Sequence, residues 1–270
     1  MHNKPRLEQF AEAEEVMHNF VSETNYAESV NSGIAGYFDR YPRIPYGRAT
    51  TYTRDNYEKF ALSFPFLQTL SKGYKELIPE RWKNQKEACE KIDPKFIIPE
   101  TVFTTVTVNN TFRTACHRDA GDFSRGFSNL LVLSNNSNYQ GGYLIFPEYR
   151  IAVNIRPGDL LLVNNHEIIH GNTPIILNDE KAHRISLVCY LRENMLDLGS
   201  WDYEQTRLKF VETRRFDTSH PLWRKNWNGT SPAMWSTTEW YDFLKKEMGE
   251  KILKQYHPSA VQQSLESFFE

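Results

Sequence analysis

The chain has 270 residues, 40% of them hydrophobic and 14% aromatic, so it can bury the core of one large domain. Its formal net charge of −2 argues against strong non-specific binding to duplex DNA or to an anionic membrane, but it is compatible with a local basic patch. There is neither a bilayer-spanning apolar run nor a signal-peptide h-region, and the three cysteines show no pairing pattern. We therefore expect an intracellular protein without membrane contact, nuclear if eukaryotic and otherwise cytoplasmic.

The first part of the chain, residues 1–96, is predicted to be a helical support that includes one loop. Apolar residues form a loose helical stripe from Leu7 to Val21. A loop rich in proline, glycine and arginine is predicted for residues 36–52. Helical spacing resumes around Tyr57 and is interrupted at Pro65, because proline breaks a helix interior.

Residues 97–194 have the pattern of a β-core. Short runs with high strand propensity alternate with polar turns, and the predicted strands are residues 101–108, 126–133, 142–146, 151–155, 159–163 and 185–191. Many short strands with polar turns favour a sandwich or a barrel over a βαβ sheet.

The last part, residues 195–270, is predicted to be helical again. Ser236 and Glu239 have the spacing of a capping box, which would open a helix running to Lys246. A final helix is predicted for residues 259–269. The sequence thus indicates an α+β protein of one domain, with N-terminal and C-terminal helices flanking a β-core, and we favour a monomer.

Candidate metal ligands lie within the β-core. In an extended segment, His117 and Asp119 project from the same face, and His170 follows a predicted buried strand. Two histidines and one carboxylate would leave open positions on Fe(II) for an oxidant and a co-substrate. By itself, the pair of His117 and Asp119 more often represents a histidine at a strand end beside a turn aspartate, and only the context of His170 favours a metal site.

Arg184 and Ser186 share one face of the last predicted strand, fourteen residues beyond His170. A bidentate arginine with a neighbouring hydroxyl suits the far carboxylate of a dicarboxylate co-substrate. The alternative is an exposed arginine in a surface ion pair.

The segment from His166 to His170 also matches the zinc-peptidase pattern H-E-x-x-H. That pattern binds zinc only on a helix, where residues i and i+4 share a face. Gly171 and Pro174 follow at once, which is typical of turns, and in an extended chain the two histidines would be about 13 Å apart at roughly 3.3 Å per residue. A zinc hydrolase is therefore a remote alternative.

Three stretches of the sequence resemble the TET/JBP oxygenases, which oxidise the methyl group of 5-methylcytosine or thymine in DNA. They are residues 106–122, residues 141–148 and residues 156–174, and the resemblance as a whole spans residues 101–192. It implies a double-stranded β-helix core (jelly-roll, cupin-like) and an Fe(II)/2-oxoglutarate-dependent dioxygenase that uses O2. A hydroxylase of the same superfamily acting on a peptide, an amino acid or another small molecule is the main alternative, and a barrel that binds a ligand without catalysis is a further one.

The resemblance also assigns roles to residues. It implies that His117, Asp119 and His170 are the catalytic iron ligands and that Arg184 and Ser186 bind 2-oxoglutarate. Further polar residues are expected near the co-substrate or a flipped base: Asn109, Arg113, Asp122 and Asn172. For Asn109 and Arg113, a role as polar groups at a strand edge is an equal alternative.

DNA containing a methylated pyrimidine is the expected partner, because an enzyme of this kind must take its target base out of the stack. Candidate DNA contacts are the loop arginines Arg43, Arg48 and Arg54, and a later basic and aromatic cluster comprising Arg207, Lys209, Arg214, Arg215, Trp223, Arg224, Lys225 and Trp227. A solvated charged surface is the alternative interpretation of both groups.

Overall fold

The computed structural model describes residues 31–134, 136 and 138–260. The helix predicted from Leu7 to Val21, and nearly all of the one predicted for residues 259–269, lie outside the described residues. The chain divides into two compact units. Among the described residues, the sheet unit comprises those up to Gly36, Ala49–Glu90 and Ile97–Glu193, and the helical unit comprises Tyr37–Arg48, Lys91–Phe96 and those from Asn194 onward.

The described residues combine strands with helices, which agrees with the α+β prediction. The strands are β1 (Ser32–Phe38), β2 (Arg48–Ala49), β3 (Thr105–Asn110), β4 (Ser128–Ser134), β5 (Tyr139–Gly141), β6 (Leu144–Phe146), β7 (Ile151–Val153), β8 (Leu160–Val163), β9 (Gly171–Asn172), β10 (Ile175–Leu177) and β11 (Arg184–Tyr190). The helices are α1 (Thr51–Asp55), α2 (Tyr57–Ala61), α3 (Phe64–Leu77), α4 (Pro79–Cys89), α5 (Trp201–Arg214), α6 (Thr238–Met248) and α7 (Glu250–Tyr256).

Three sheets organise the sheet unit. The largest has the strand order β2-β1-β3-β11-β4-β8, and its pairings from β1 to β8 are antiparallel. A three-stranded sheet has the order β7-β6-β9, and β10 pairs with β5. Strand β11 lies between β3 and β4, so the residues at its start are held from both sides. These pairings form open sheets within the part of the chain that the structure describes.

A shared hydrophobic cluster shows that the large sheet and the three-stranded sheet face each other. Leu130 and Val132 on β4 pack in one buried group with Leu144 and Phe146 on β6. Each such side chain contributes roughly 1.5–3 kcal/mol when it is removed from water. This apolar layer holds the two sheets together. The cavity described below opens beside it.

Strand β1 was not predicted, because its sequence, Ser-Gly-Ile-Ala-Gly-Tyr-Phe, is poor in strand-forming residues. Pairing with β3 overrides this weak local preference. At Gly36 the backbone has a φ of +99°, and a Cβ there would lie 2.2 Å from the carbonyl oxygen of Thr104. Glycine is therefore required for the close approach of the two strands, and the loop predicted for residues 36–52 was wrong at its beginning.

The helix boundaries follow the predicted signals with one shift. Helix α3 begins at Phe64 with Pro65 in its first turn, where proline is tolerated, so the predicted interruption is confirmed. Helix α6 is capped by Thr237, whose hydroxyl accepts from Trp240 N–H, whereas Ser236 ends a preceding 3-10 helix and donates to Ala233 O. The predicted capping box was therefore displaced by one residue.

The helical unit has an aromatic core and a buried charge network. Phe210 and Trp240 are fully buried there. Glu204, also fully buried, accepts from the backbone N–H groups of Gly47 (2.7 Å) and Gly199 (2.8 Å) and pairs with Arg40. Among the described helices, none has both the length and the apolar character that crossing a membrane requires.

Arg207, predicted as a DNA contact, belongs to this buried network. Its Nε donates to the carbonyl oxygen of Pro45 at 2.8 Å, and its guanidinium lies 3.7 Å from the centre of the Trp235 ring. Burial lowers the pKa of Arg207 to about 10. The prediction was wrong for this residue, since a side chain enclosed by the core cannot reach a phosphate.

Candidate metal centre

The metal-ligand candidates are brought together by the backbone. Residues 117–119 lie in an extended segment after β3, outside the named strands, and His117 pairs with His170 in an isolated antiparallel bridge. The His117 N–H donates to the His170 carbonyl at 2.8 Å, and the His170 N–H donates to the His117 carbonyl at 3.0 Å. Because paired residues of an antiparallel bridge project on the same side, the two imidazole rings lie 4.6 Å apart, centre to centre.

Both imidazole rings are oriented by a hydrogen bond from Nδ1 to a backbone carbonyl two residues earlier. His117 Nδ1 lies 2.7 Å from the Ala115 carbonyl, and His170 Nδ1 lies 2.9 Å from the Ile168 carbonyl. A carbonyl oxygen can only accept, so each Nδ1 carries a proton and each Nε2 is the ring nitrogen that faces Asp119. Fixing the tautomer in this way is what the partners of metal-binding histidines usually do.

Asp119 completes the cluster. Its Oδ1 lies 3.2 Å from His117 Nε2 and its Oδ2 lies 3.6 Å from His170 Nε2. The ligand atoms of the three residues all lie within 4.8 Å of one another. Burial raises the pKa of Asp119, but hydrogen bonds from the two imidazoles outweigh it and hold this pKa well below its ordinary value. Two imidazole nitrogens and one ionised carboxylate are a donor set that fits Fe(II) with positions left for other ligands.

The competing zinc-peptidase geometry is absent from this segment. Residues 165–167 form a turn between β8 and β9, so His166 and Glu167 are not on a helix. His170 instead joins His117 and Asp119. The H-E-x-x-H match is therefore coincidental.

A cavity of about 240 Å³ opens beside the cluster and lies within the sheet unit. The three ligand candidates line it together with the predicted residues Asn109, Asp122, Asn172, Arg184 and Ser186. Apolar side chains of β4, including Leu130 and Val132, form part of its wall. The cavity thus joins the metal-ligand cluster to a cationic group and an apolar surface.

Arg184 is the buried cation of this cavity. Only 2% of the residue is exposed, and its Nη2 donates to the Gly142 carbonyl at 3.0 Å. Burial lowers the pKa of Arg184, and the neighbouring Tyr139 partly offsets this effect. No carboxylate of the described residues pairs with Arg184, so the surface ion pair considered as an alternative is excluded. A buried guanidinium without a counter-ion favours an anionic ligand in the cavity.

The other cavity residues differ in what they contact. Asn109 is buried, and its Oδ1 accepts from the Ser32 hydroxyl at 2.6 Å. The Asp122 carboxylate accepts from the Ser128 hydroxyl at 2.6 Å. Burial and the negative charge of Asp119 raise the pKa of Asp122 well above its ordinary value, which favours a neutral carboxyl.

Arg113 does not lie where it was expected. Its side chain is exposed, it is not part of the cavity wall, and its Nε donates to the Asn172 carbonyl at 3.4 Å. Arg113 was expected near the co-substrate or base. It reaches the cavity through its hydrogen bond to Asn172, which lines the wall.

The predicted DNA contacts of the helical unit are largely engaged within that unit. Arg48 lies over the rings of Phe38 and Tyr41 and donates to the Asp39 carbonyl. Arg214 pairs with Glu239 and Asp217. Arg215 contacts Glu212 and donates from Nε to Asn228 Oδ1, so neither Arg214 nor Arg215 is an uncommitted cation.

Asn165 and Tyr190 are among the cavity residues that were missed from the sequence. Asn165 contacts Asp119 directly, and the Tyr190 hydroxyl lies 3.2 Å from that of Thr107 in the cavity wall. Tyr190 could have been found, because it shares a strand face with Arg184 and Ser186. Asn165 lies in a turn and has no such periodic signal.

Comparisons with known proteins agree with this geometry. Residues 33–193 match the family Tet_JBP, described as the oxygenase domain of the 2OGFeDO superfamily. The bifunctional helicase and thymine dioxygenase JBP2 of Trypanosoma brucei brucei is 39% identical over 165 residues, which are 60% of this chain and 15% of that protein. Thymine dioxygenase JBP1 of Leishmania braziliensis is 35% identical over 188 residues, which are 67% of this chain and 22% of that protein. The chain therefore spans less than a quarter of either relative.

A solved structure shares the fold. NgTET1 in complex with 5mC DNA superimposes with a TM-score of 0.54, at 19% sequence identity, and the match covers 74% of this chain and 75% of that one. At this identity the likeness concerns the fold alone.

Gly142 offers a test of how Arg184 is held. Its φ is +70°, and a Cβ there would lie 2.8 Å from Arg184 Nε. We expect Gly142→Ala to lower the free energy of unfolding by more than the roughly 1–2 kcal/mol that a left-handed backbone alone costs an L-residue, because it also displaces the guanidinium. Urea unfolding measures the change. Gly158→Ala is the matched control, with a φ of +93° and open space around the added Cβ. Equal losses in the two variants would show that Arg184 is not confined by Gly142.

Proposed function

The chain belongs to the Tet_JBP family of oxygenase domains, and from this premise we propose that it oxidises the 5-methyl group of a pyrimidine, 5-methylcytosine or thymine, in DNA, with Fe(II), 2-oxoglutarate and O2. One observation carries the proposal: His117, Asp119 and His170 converge beside the buried guanidinium of Arg184 in one cavity. The relatives named thymine dioxygenases support the choice of substrate.

In this proposal each group of the chain has a separate task. His117, Asp119 and His170 would hold Fe(II), which supplies dioxygen activation when it is bound together with the 2-oxo acid. Arg184 binds the far carboxylate of 2-oxoglutarate, with Ser186 beside it on the same strand face. The apolar residues of β4 exclude water around the co-substrate, which strengthens the pairing of Arg184 with its carboxylate.

We extend the proposal to the architecture of the core. The large sheet and the three-stranded sheet pack face to face, as the two sheets of a double-stranded β-helix do. His170 lies where the chain passes from β8 of the large sheet to β9 of the three-stranded sheet, and it pairs there with His117. A jelly-roll core of this kind, flanked by helices, is consistent with the family.

The base would enter the cavity beside the metal ligands. An extruded pyrimidine needs hydrogen-bonding groups for its polar edge, and extrusion costs a few kcal/mol. Asp122 and Asn172 line the cavity next to His117 and His170 and are the side chains we assign to this contact. A neutral carboxyl at Asp122 can both donate and accept, so it can serve a ring whose edge carries both kinds of group.

The activity is tested by analysing nucleosides from DNA. Duplexes containing 5-methylcytosine, or thymine alone, are incubated with the protein, Fe(II) and 2-oxoglutarate, and 5-hydroxymethyl products are measured by mass spectrometry. We expect product from the parent protein and none from His117→Ala, because a metal site with one imidazole fewer cannot hold iron in the same way. Circular dichroism should show that the variant is folded. Oxidation of a free amino acid or peptide without oxidation of either base would contradict the proposal.

The assignment of Arg184 is tested by co-substrate binding. Arg184→Lys keeps the charge but loses the planar fork, so one charge-assisted hydrogen bond of about 1.5–3 kcal/mol is lost. We expect the affinity for 2-oxoglutarate, measured by anaerobic titration calorimetry with Mn(II), to fall by roughly 10–100-fold. Arg113→Lys is the matched control, because Arg113 is exposed and lies outside the cavity wall, and it should bind 2-oxoglutarate like the parent. Unchanged affinity in Arg184→Lys would remove the assignment.

DNA binding requires cations that are not committed elsewhere. In place of Arg214 and Arg215, we assign phosphate contacts to Arg224 and Lys225, which are exposed and have no carboxylate partner among the described residues. Trp223 and Trp227, both partly exposed, flank them and can stack on a base.

The slope of log affinity against log salt concentration tests this contact. Each phosphate contact contributes about 0.9 to that slope for duplex DNA, so Arg224→Gln combined with Lys225→Gln should reduce it by roughly one to two. Lys245→Gln combined with Lys246→Gln removes the same charge from exposed positions on α6 and should leave the slope unchanged. Equal slopes for all three proteins would exclude Arg224 and Lys225 as phosphate contacts.

A further inference from the structure

Asn165 is placed to control the metal-binding carboxylate. It follows β8 by two residues, it is 1% exposed, and it lines the cavity. Two hydrogen bonds join it to Asp119. Its backbone carbonyl accepts from the Asp119 N–H at 2.8 Å, and its Nδ2 donates to Asp119 Oδ2 at 3.2 Å. The turn after β8 thus holds both the peptide and the side chain of one ligand candidate.

The chemistry of the contact fixes the orientation of the amide. An ionised carboxylate only accepts hydrogen bonds, so the NH₂ group of Asn165 must face Asp119. This leaves Asn165 Oδ1 buried and without a hydrogen-bond partner among the described residues. An orphaned buried acceptor is unfavourable. Despite the cost of this unpaired oxygen, the Asn165 amide keeps its hydrogen bond to Asp119.

We propose that Asn165 is a positioning residue, which holds Asp119 Oδ2 and thereby orients the carboxylate toward the metal. The inference rests on the proposed function, because it takes His117, Asp119 and His170 as metal ligands. With Oδ2 engaged by the amide, Oδ1, which is 3.2 Å from His117 Nε2, is the oxygen left to coordinate. Each remaining donor of the site is held in a similar way, since both imidazoles are fixed through Nδ1.

The preceding residue supplies a matched control. Asn164 is also a buried asparagine, 5% exposed, and its Oδ1 has no hydrogen-bond partner in the described part of the chain. Its Nδ2 donates to the Ser124 carbonyl at 3.3 Å and does not contact Asp119. The two residues therefore have similar burial and the same chemistry, and they differ in the group to which the amide donates.

The test measures Co(II) binding by the metal-free full chain, followed through the Co(II) absorption spectrum. Asn165→Leu preserves the approximate volume and removes the donor. We expect its Co(II) affinity to fall by roughly 10–100-fold, the usual effect of losing a group that orients a ligand, with an altered spectrum. Asn164→Leu should bind Co(II) like the parent. The melting temperature of each metal-free variant separates this effect from a general loss of structure.

The outcomes distinguish this inference from the proposed function. If the parent protein binds no Co(II), or if His117→Ala binds it equally well, the metal site itself is wrong. If the parent binds Co(II) and Asn165→Leu binds it with the same affinity and spectrum, only the role of Asn165 is overturned. The same holds if both leucine variants weaken binding equally in step with their melting temperatures. Should Asn165→Leu fail to fold, Asn165→Ala replaces it, and failure of both would show that Asn165 is needed for folding, which overturns the proposal.

Discussion

The two backbone hydrogen bonds between His117 and His170 are the contact on which the candidate site depends. They join two segments that are far apart in the sequence and outside the long strands, and they place both imidazoles on one side. The Asp119 N–H bonds to the Asn165 carbonyl, so backbone hydrogen bonds between the same two segments position all three ligand candidates. A displacement of either segment would separate His170 from His117 and Asp119. Side-chain contacts then refine what the backbone has already aligned.

The charges of the cavity follow from this arrangement. Asp119 is held ionised by two imidazoles, whereas Asp122 is driven towards its neutral form by burial and by the charge on Asp119. Two ionised carboxylates this close would repel each other, so the site favours one anion and one neutral carboxyl. Arg184 is buried without a carboxylate partner among the described residues. The desolvation of its charge is unfavourable, and an anionic ligand would offset it. The cavity thus contains separate groups suited to a cation and to an anion.

Much of the β-core could be predicted from the sequence, because strands such as β4 and β8 are continuous apolar runs between polar turns. The position of β1 could not, since its residues are poor strand formers and only the partner strand β3 makes them extended. The same limit applied to charged residues. The sequence alone does not distinguish Arg184, Arg207 and Arg113. In the structure, Arg184 lines the cavity, Arg207 lies in the core of the helical unit and Arg113 is exposed.

The separation of the ligand candidates along the chain has a consequence for biogenesis. His117 and Asp119 are synthesised well before His170, and two donors alone hold a divalent metal poorly. A nascent chain synthesised only as far as β8 therefore lacks His170, one of the three ligand candidates. The site is complete only when residues 165–170 pair with residues 117–119. Because this pairing is long-range in sequence, closing it costs more chain entropy than forming local contacts. In the proposed function, metal capture would then report completed folding, and the partly made chain would not load a redox-active ion before its cavity exists.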